Sequence, residues 1–185
     1  MYTEIIIRPE QPTDYTQIRT MTASAFAAVF GSGEDEVALL EALRAAPDHD
    51  PELALVAVQG EVVLGHILMS PVSIEGDEQE QWPALCLAPL CVRIDHQRQG
   101  IGNALIRAAL EQAREKGHTR VVLSGSDAYY PRFGFQDANF LGIKDEMGTP
   151  SPHFMVLPLI KGALTGVSGV VRYPAAFDTV RDQEA

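Results

Sequence analysis

Val92-Arg93-Ile94-Asp95-His96-Gln97-Arg98-Gln99-Gly100-Ile101-Gly102-Asn103 is the stretch on which the fold turns. Before it, residues 84–92 are apolar at nearly every position, the pattern of a central strand covered on both faces. After it, residues 103–116 place Leu105, Ile106, Ala109, Leu110 and Ala113 on one stripe of a helix, with Arg107, Glu111, Arg114 and Glu115 facing water. Gly117 closes that helix as a left-handed C-terminal residue. A strand, a short turn with two glycines and an amphipathic helix therefore follow one another directly. The first N–H groups of a helix have no internal acceptor, and the helix dipole is positive there. The N–H groups of Gln99, Gly100, Ile101, Gly102 and Asn103 are thus expected to converge on an anion such as a diphosphate. Glycine at 100 and 102 lets phosphate oxygens approach the main chain with no Cβ in the way. Neither of two common phosphate loops fits. A dinucleotide loop needs glycine where Leu105 stands, and a Walker loop needs Lys-Ser/Thr where Asn103-Ala104 stands. On spacing alone, a tight turn without a ligand stays open as a reading.

Outward from this loop the chain divides into short punctuated segments. The β-branched run Ile5-Ile6-Ile7, closed by Arg8-Pro9, predicts a first strand. Pro12-Thr13-Asp14 opens a helix with Thr13 or Asp14 as its cap, and Ile18, Met21, Ala25 and Phe26 recur at helical spacing. Gly31-Ser32-Gly33 breaks the chain, and Glu34-Asp35-Glu36 starts a second helix with its carboxylates at the favourable end. Strands are expected at 53–58, at 62–70 continuing toward Ile74, at 120–123 and at 154–157, with an acidic hairpin tip at 75–81. Ser126-Asp127-Ala128-Tyr129 reads as a very short helix, and residues 166–176 as an added edge strand. The order β-α-α-β-β-β-α-β-α-β predicts an α/β fold, a mixed sheet flanked by helices. One domain is expected over residues 1–185, with 158–185 a C-terminal extension integral to it.

Composition narrows the class. Of 185 residues, 46% are hydrophobic and 21% charged, an ordinary globular balance. No apolar run approaches the roughly 20 residues that span a bilayer. The start Met1-Tyr2-Thr3-Glu4 lacks the basic, apolar pattern of a leader, so a cytoplasmic protein with no membrane partner is expected. Cys86 and Cys91 fall on opposite faces of one strand and are expected to be reduced thiols, and their spacing to histidine matches no zinc pattern, so no metal is expected. The net charge of -11 repels nucleic acid and draws cationic amines to the surface. A phosphate-bearing ligand must then be held by local dipoles and a few basic groups such as Arg98.

Gln97-x-x-Gly100-x-Gly102 resembles the Q/R-x-x-G-x-G/A motif of the GCN5-related N-acetyltransferase (GNAT) superfamily, at the matching place in the strand order. Tyr129-Tyr130-Pro131-Arg132-Phe133-Gly134-Phe135 resembles that superfamily's Y-x-x-x-G-F segment. The tail, with Phe154-Met155-Val156-Leu157, Gly162-Ala163-Leu164 and Tyr173-Pro174-Ala175, is similar to a bacterial branch of predicted N-acetyltransferases. The resemblance implies a GNAT-type fold and acetyl-CoA as cosubstrate, held at Gln97, Arg98, Gln99, Gly100, Ile101, Gly102 and Asn103. It implies direct transfer, within a ternary complex, to a primary amine on a small molecule or peptide. Two departures stand out: Ile94 occupies a position where proline is frequent, and residues 126–129 lack the asparagine often found there.

Such a transfer needs a neutral amine, a stabilised oxyanion and a protonated leaving thiolate. The resemblance assigns the oxyanion donor to a main-chain N–H near Leu90, Cys91 and Val92, where the central strand splays. Pro89, which has no N–H, must interrupt pairing just there. The resemblance makes Tyr130 the general acid, with an aromatic packing role as the other reading and Tyr129 as the competitor that faces the core. Glu36 is the candidate base, against a simple helix-dipole role. His96 reads as a solvated turn residue, His66 as a strand histidine, His49 as a loop residue and Cys91 as a core thiol rather than a nucleophile. A non-catalytic acyl-CoA-binding sensor is the alternative function, and a plain interaction protein a third. The tail at 167–177 offers a strand that pairs across a homodimer.

Overall fold

The structure, a computed structural model, describes residues 4–181. Nine strands form a mixed sheet: β1 (Ile5–Pro9), β2 (Ala54–Gln59), β3 (Val62–Glu75), β4 (Gln81–Val92), β5 (Arg120–Ser124), β6 (Gln136–Asp137), β7 (Ile143–Asp145), β8 (Phe154–Pro158) and β9 (Gly169–Arg172). Four helices accompany it: α1 (Tyr15–Phe30), α2 (Glu34–Ala45), α3 (Ile101–Glu115) and α4 (Asp178–Arg181). The chain groups into two compact units. The first runs through Met69 and adds Ala88–Gln112 and the chain from Ala176; the second holds Ser70–Leu87 and Ala113–Ala175.

In the first unit β1 pairs antiparallel with β2, from Ile5 opposite Gln59 to Pro9 opposite Leu55, and β2 pairs antiparallel with β3. Ile18, Leu40, Leu43, Ile67, Leu105 and Ile106 are buried, so the stripes read from periodicity are the core faces of α1, α2 and α3. The expected cap of α1 takes a different form. Pro12–Asp14 is a 3-10 turn, and the Asp14 carboxylate turns back to accept from Gln11 N (2.8 Å) and to pair with Arg8 (2.7 Å). Gly31, at φ 82°, ends α1 in the left-handed region that glycine tolerates.

A buried polar cluster ties α2 to the sheet. Arg44 donates from Nε and Nη2 to the Glu10 carboxylate at 2.7 and 2.6 Å, and His66 Nε2 lies 2.8 Å from the same group. The Arg44 guanidinium also stacks 4.1 Å from the Tyr15 ring centroid. Burial pushes the Glu10 pKa up, but the bonds from Arg44 and His66 outweigh it and bring it down to about 2. Burial lowers the His66 pKa despite the carboxylate beside it.

In the second unit β4 lies between β3 and β5, and β5 pairs antiparallel with β8 from Arg120 opposite Pro158 to Ser124 opposite Phe154. The tail departs from the sequence expectation. β9 is no edge strand: it pairs antiparallel with β3 and parallel with β7. A Cβ on Gly169 would lie 2.0 Å from the Glu75 carbonyl oxygen, so the tail meets β3 through a residue that must be glycine. Both edges of β9 are paired within the chain, and Val167 and Val171 are buried. Strands β6 and β7, of two and three residues, carry no readable period and were not expected. The expected short helix at 126–129 is a turn, and the helical piece is the 3-10 segment Tyr130–Phe133 that follows it.

Candidate active site

The loop after β4 is built as a helix start with an open face. Ile94–His96 forms a 3-10 turn. Arg93 holds Asp95 through two bonds (3.1 and 3.0 Å), and His96 Nδ1 lies 2.8 Å from the same carboxylate. The side chains of Gln97 and Gln99 fold back, donating to Val92 O (3.2 Å) and Asp95 O (3.3 Å). They brace the turn from below. Arg98 (φ 59°) and Gly100 (φ 87°) carry the two left-handed residues that swing the chain into α3. The first capping bond of α3 is Ala104 N to Gly100 O at 3.0 Å. Among the described residues, none of the N–H groups of Gln99, Gly100, Ile101 and Gly102 donates to the main chain outside α3, and an α-helix supplies its own first residues no acceptor. Gln97, Arg98, Gln99 and Gly100 are exposed, and a Cβ on Gly100 would meet nothing within 4 Å. The turn thus sets a row of donors, exposed at Gln99 and Gly100, at the positive end of a fifteen-residue helix, which fits a diphosphate.

Gly65, in the middle of β3, sets how close this helix comes. A Cβ there would lie 2.8 Å from Leu105 Cδ1, 3.0 Å from Ile101 Cγ2 and 3.3 Å from Cys91 O. The sequence reading missed this residue, although a glycine inside a long apolar strand is the signal of a close approach. On α1, Thr22 Oγ1 lies 3.4 Å from Cys91 Sγ. A cavity of about 510 Å³ beside the start of the loop is lined by Thr16, Thr20, Met21, Ser24, Val63 and Arg93, among others.

In the second unit the parallel β4–β5 pairing covers only Leu85 opposite Val121 and Cys86 opposite Val122, while β4 runs on to Val92. Tyr130 follows β5. Its N–H donates to Ser126 O at 3.1 Å, and its ring packs edge-on against Tyr129 (5.1 Å) and Phe135 (5.8 Å). Gly125 makes room for it, since a Cβ there would lie 2.3 Å from Tyr130 Cε2. Burial, with smaller contributions from Tyr129 and Cys86, pushes the phenol up to about 12, so it carries its proton at neutral pH. Tyr129, the competitor, is stacked under the Arg132 guanidinium at 4.6 Å and packs on Phe133.

Comparison with known proteins bears directly on this arrangement. Residues 6–138 match the family model described as "Acetyltransferase (GNAT) domain". The chain is 32% identical over 175 residues to the uncharacterized N-acetyltransferase YhbS of Escherichia coli K12, covering 94% of this chain and 99% of that protein. The chain belongs to the GNAT acetyltransferase family. Two solved GNAT structures resemble it over nearly its whole length. One is YhbS of Escherichia coli in complex with CoA, at TM-score 0.81 and 29% identity, covering 96% of this chain and 94% of that one. The other is a GNAT acetyltransferase of Brucella melitensis in complex with acetyl-CoA, at TM-score 0.75 and 35% identity, covering 96% and 100%.

The remaining GNAT site candidates separate by environment. Cys91 is buried, and burial pushes its thiol up to about 11 although Thr22 and the His66 N–H favour the thiolate, so it is no ready nucleophile. Cys86 is buried and free as well, its thiol pushed up by burial. His66 is the strand histidine expected, and His96 is a half-buried turn residue bound to Asp95. Glu36 is half-buried in the first turn of α2, and its pKa is raised by burial and by Asp35 beside it, although its own backbone N–H opposes this. Among the described residues no group of three or more His, Cys, Asp and Glu side chains is placed to hold a metal ion. No helix among them is long and apolar enough to cross a membrane.

Proposed function

We propose that this GNAT acetyltransferase moves the acetyl group of acetyl-CoA directly onto a primary amine. The observation that carries the reading is the row of N–H donors at residues 99–102 with no main-chain acceptor outside α3, braced by Gln97 and Gln99 and opened by the exposed Gly100. A row of this kind offers a coenzyme diphosphate fixed dipoles and needs no net positive charge on a chain whose formal charge is -11. The relatives from Escherichia coli and Brucella melitensis, solved with CoA and acetyl-CoA, support the same ligand here. Bound there, the coenzyme supplies the thioester. Arg98 lies next to the row and adds a cation to the phosphates. A main-chain N–H of Leu90, Cys91 or Val92 is the proposed oxyanion donor. It lies on the stretch of β4 that runs past its short pairing with β5. Tyr130 is the proposed acid, because a phenol held in its protonated form is able to give a proton to a departing thiolate.

Thiol release from acetyl-CoA, measured against spermidine, tyramine, kanamycin and a lysine peptide, tests the reading. At least one amine is expected to be acetylated, and Tyr130→Phe is expected to lower kcat by about tenfold or more with CoA affinity nearly unchanged. CoA binding without transfer to any amine would move the reading to a binding module. Absence of both would reject the cradle itself.

A further inference from the structure

Acetyl transfer to an amine needs a proton acceptor as well as an acid, and the second unit carries an imidazole on the segment whose main chain bonds Gly125. His153, the residue before β8, accepts at its carbonyl from the Gly125 N–H (2.9 Å). Gly125 is the residue on which the Tyr130 ring rests. The His153 imidazole Nδ1 stands 3.8 Å from Asp127 Oδ1, and both side chains are about half exposed, at 50% and 53%. Asp127 lies in the turn whose Ser126 carbonyl accepts from both Tyr129 N (3.0 Å) and Tyr130 N (3.1 Å). The phenol, the imidazole and the carboxylate are therefore mounted on one frame made of the end of β5 and the segment leading into β8.

That frame is fixed from several sides. Ser124 and Thr149 share a hydroxyl bond at 2.9 Å, Ser151 Oγ donates to Asp137, and His153 N donates to Pro150 O at 2.9 Å. Asp145 accepts from the N–H groups of Met147 (3.0 Å) and Thr149 (3.3 Å). Of the carboxylates on these segments, Asp137 and Asp145 are thus engaged by hydroxyl and backbone donors. Asp127 is the one facing the imidazole. The Glu36 carboxylate, by contrast, stands in the first turn of α2, where a negative charge complements the helix dipole.

We infer that His153 is the general base of the transfer, with Asp127 as a positioning residue that steadies the imidazolium by its charge. The inference rests on the acetyl-transfer reading above. Imidazole is the side chain able to take a proton from an ammonium and release it again near neutral pH. The proton account closes. His153 Nε2 takes one proton from the acceptor ammonium, leaving a neutral amine whose lone pair forms the new N–C bond to the acetyl carbon. As the C–S bond breaks, its electron pair leaves on sulfur, and Tyr130 delivers a proton there. The second amine proton restores Tyr130, the proton on His153 passes to water, and the products are an N-acetyl amine, a thiol and one released proton.

The test compares His153→Gln, Asp127→Asn, Glu36→Gln and Tyr130→Phe in pH profiles of kcat/KM with the best acceptor of the four-amine panel, with CoA affinity measured by calorimetry as a check of folding. His153→Gln is expected to lower kcat/KM at neutral pH by about tenfold or more and to abolish the acidic limb, with CoA affinity unchanged. Asp127→Asn should keep that limb and lower kcat/KM less than His153→Gln does. Tyr130→Phe should keep the limb and lower kcat. A His153→Gln enzyme within twofold of wild type with its acidic limb intact overturns the inference while leaving the acetyl-transfer reading standing, as does loss of the limb in Glu36→Gln instead. A wild type inactive on every amine overturns both.

Discussion

Gly100→Glu, compared with Gly100→Ala, probes the donor row most directly. Gly100 sits at φ 87°, and its ideal Cβ meets nothing within 4 Å, so neither substitution clashes. Both carry the left-handed backbone penalty of about 1–2 kcal/mol for an L-residue, which cancels between them. What differs is one carboxylate at the mouth of the cradle. A unit charge at about 5 Å from a phosphate charge, with an effective dielectric constant of about 20, is worth roughly 3 kcal/mol. Solvent and salt at an exposed turn screen about half of that, which leaves roughly 1.5 kcal/mol and a Kd for CoA about tenfold weaker in the glutamate variant than in the alanine variant. Calorimetry with CoA at low and at high salt measures this gap, which should narrow as salt rises. Two folded variants whose Kd values agree within threefold at low salt would mean that the diphosphate does not lie against residue 100.

Two further outcomes follow from the packing. Glu10→Gln removes the charge that Arg44 is buried against. A carboxyl pKa lowered from 4.5 to about 2 corresponds to roughly 3 kcal/mol of stability. This is present above the unfolded value of about 4.5 and is lost as pH falls through about 2. Urea denaturation should therefore show the variant less stable by about that amount at neutral pH, with the difference closing toward pH 2, and a variant within 0.5 kcal/mol of wild type at neutral pH would contradict the linkage. Gly125→Ala places a methyl group 2.3 Å from Tyr130 Cε2, so the ring must move. We expect kcat to fall by about tenfold or more with CoA affinity unchanged. The same change should add little in a Tyr130→Phe background, and two fully additive losses would show that Gly125 acts elsewhere.

Much of the fold was legible because the signals are local. The apolar stripe of α3, the glycines ahead of it and the orphan donors of its first turn all follow from residues within one helix length. The same holds for β3 and β4, whose apolar runs and acidic hairpin tip stand next to each other in sequence. Cys91 was legible as a core thiol, and His66 as a strand histidine, for the same reason, since each sits in an apolar run.

What tertiary structure alone decided depends on partners distant in sequence. Glu10 meets Arg44 and His66 across 34 and 56 residues, and no periodicity announces that a carboxylate after β1 will be buried by a helix and a later strand. β9 read as an edge, yet it is enclosed by β3 and β7, because pairing on a strand's second side is set by whichever chain segment arrives there. His153 carries no motif. The β5–β8 pairing brings its carbonyl to the Gly125 N–H, across 28 residues. The sequence by itself determined the longer strands, the helices α1 to α3 and the glycine turn ahead of α3, because their signals are local. The close approaches at Gly65 and Gly125 were decided by tertiary contact, because a missing Cβ has meaning only once the group that fills its place is known.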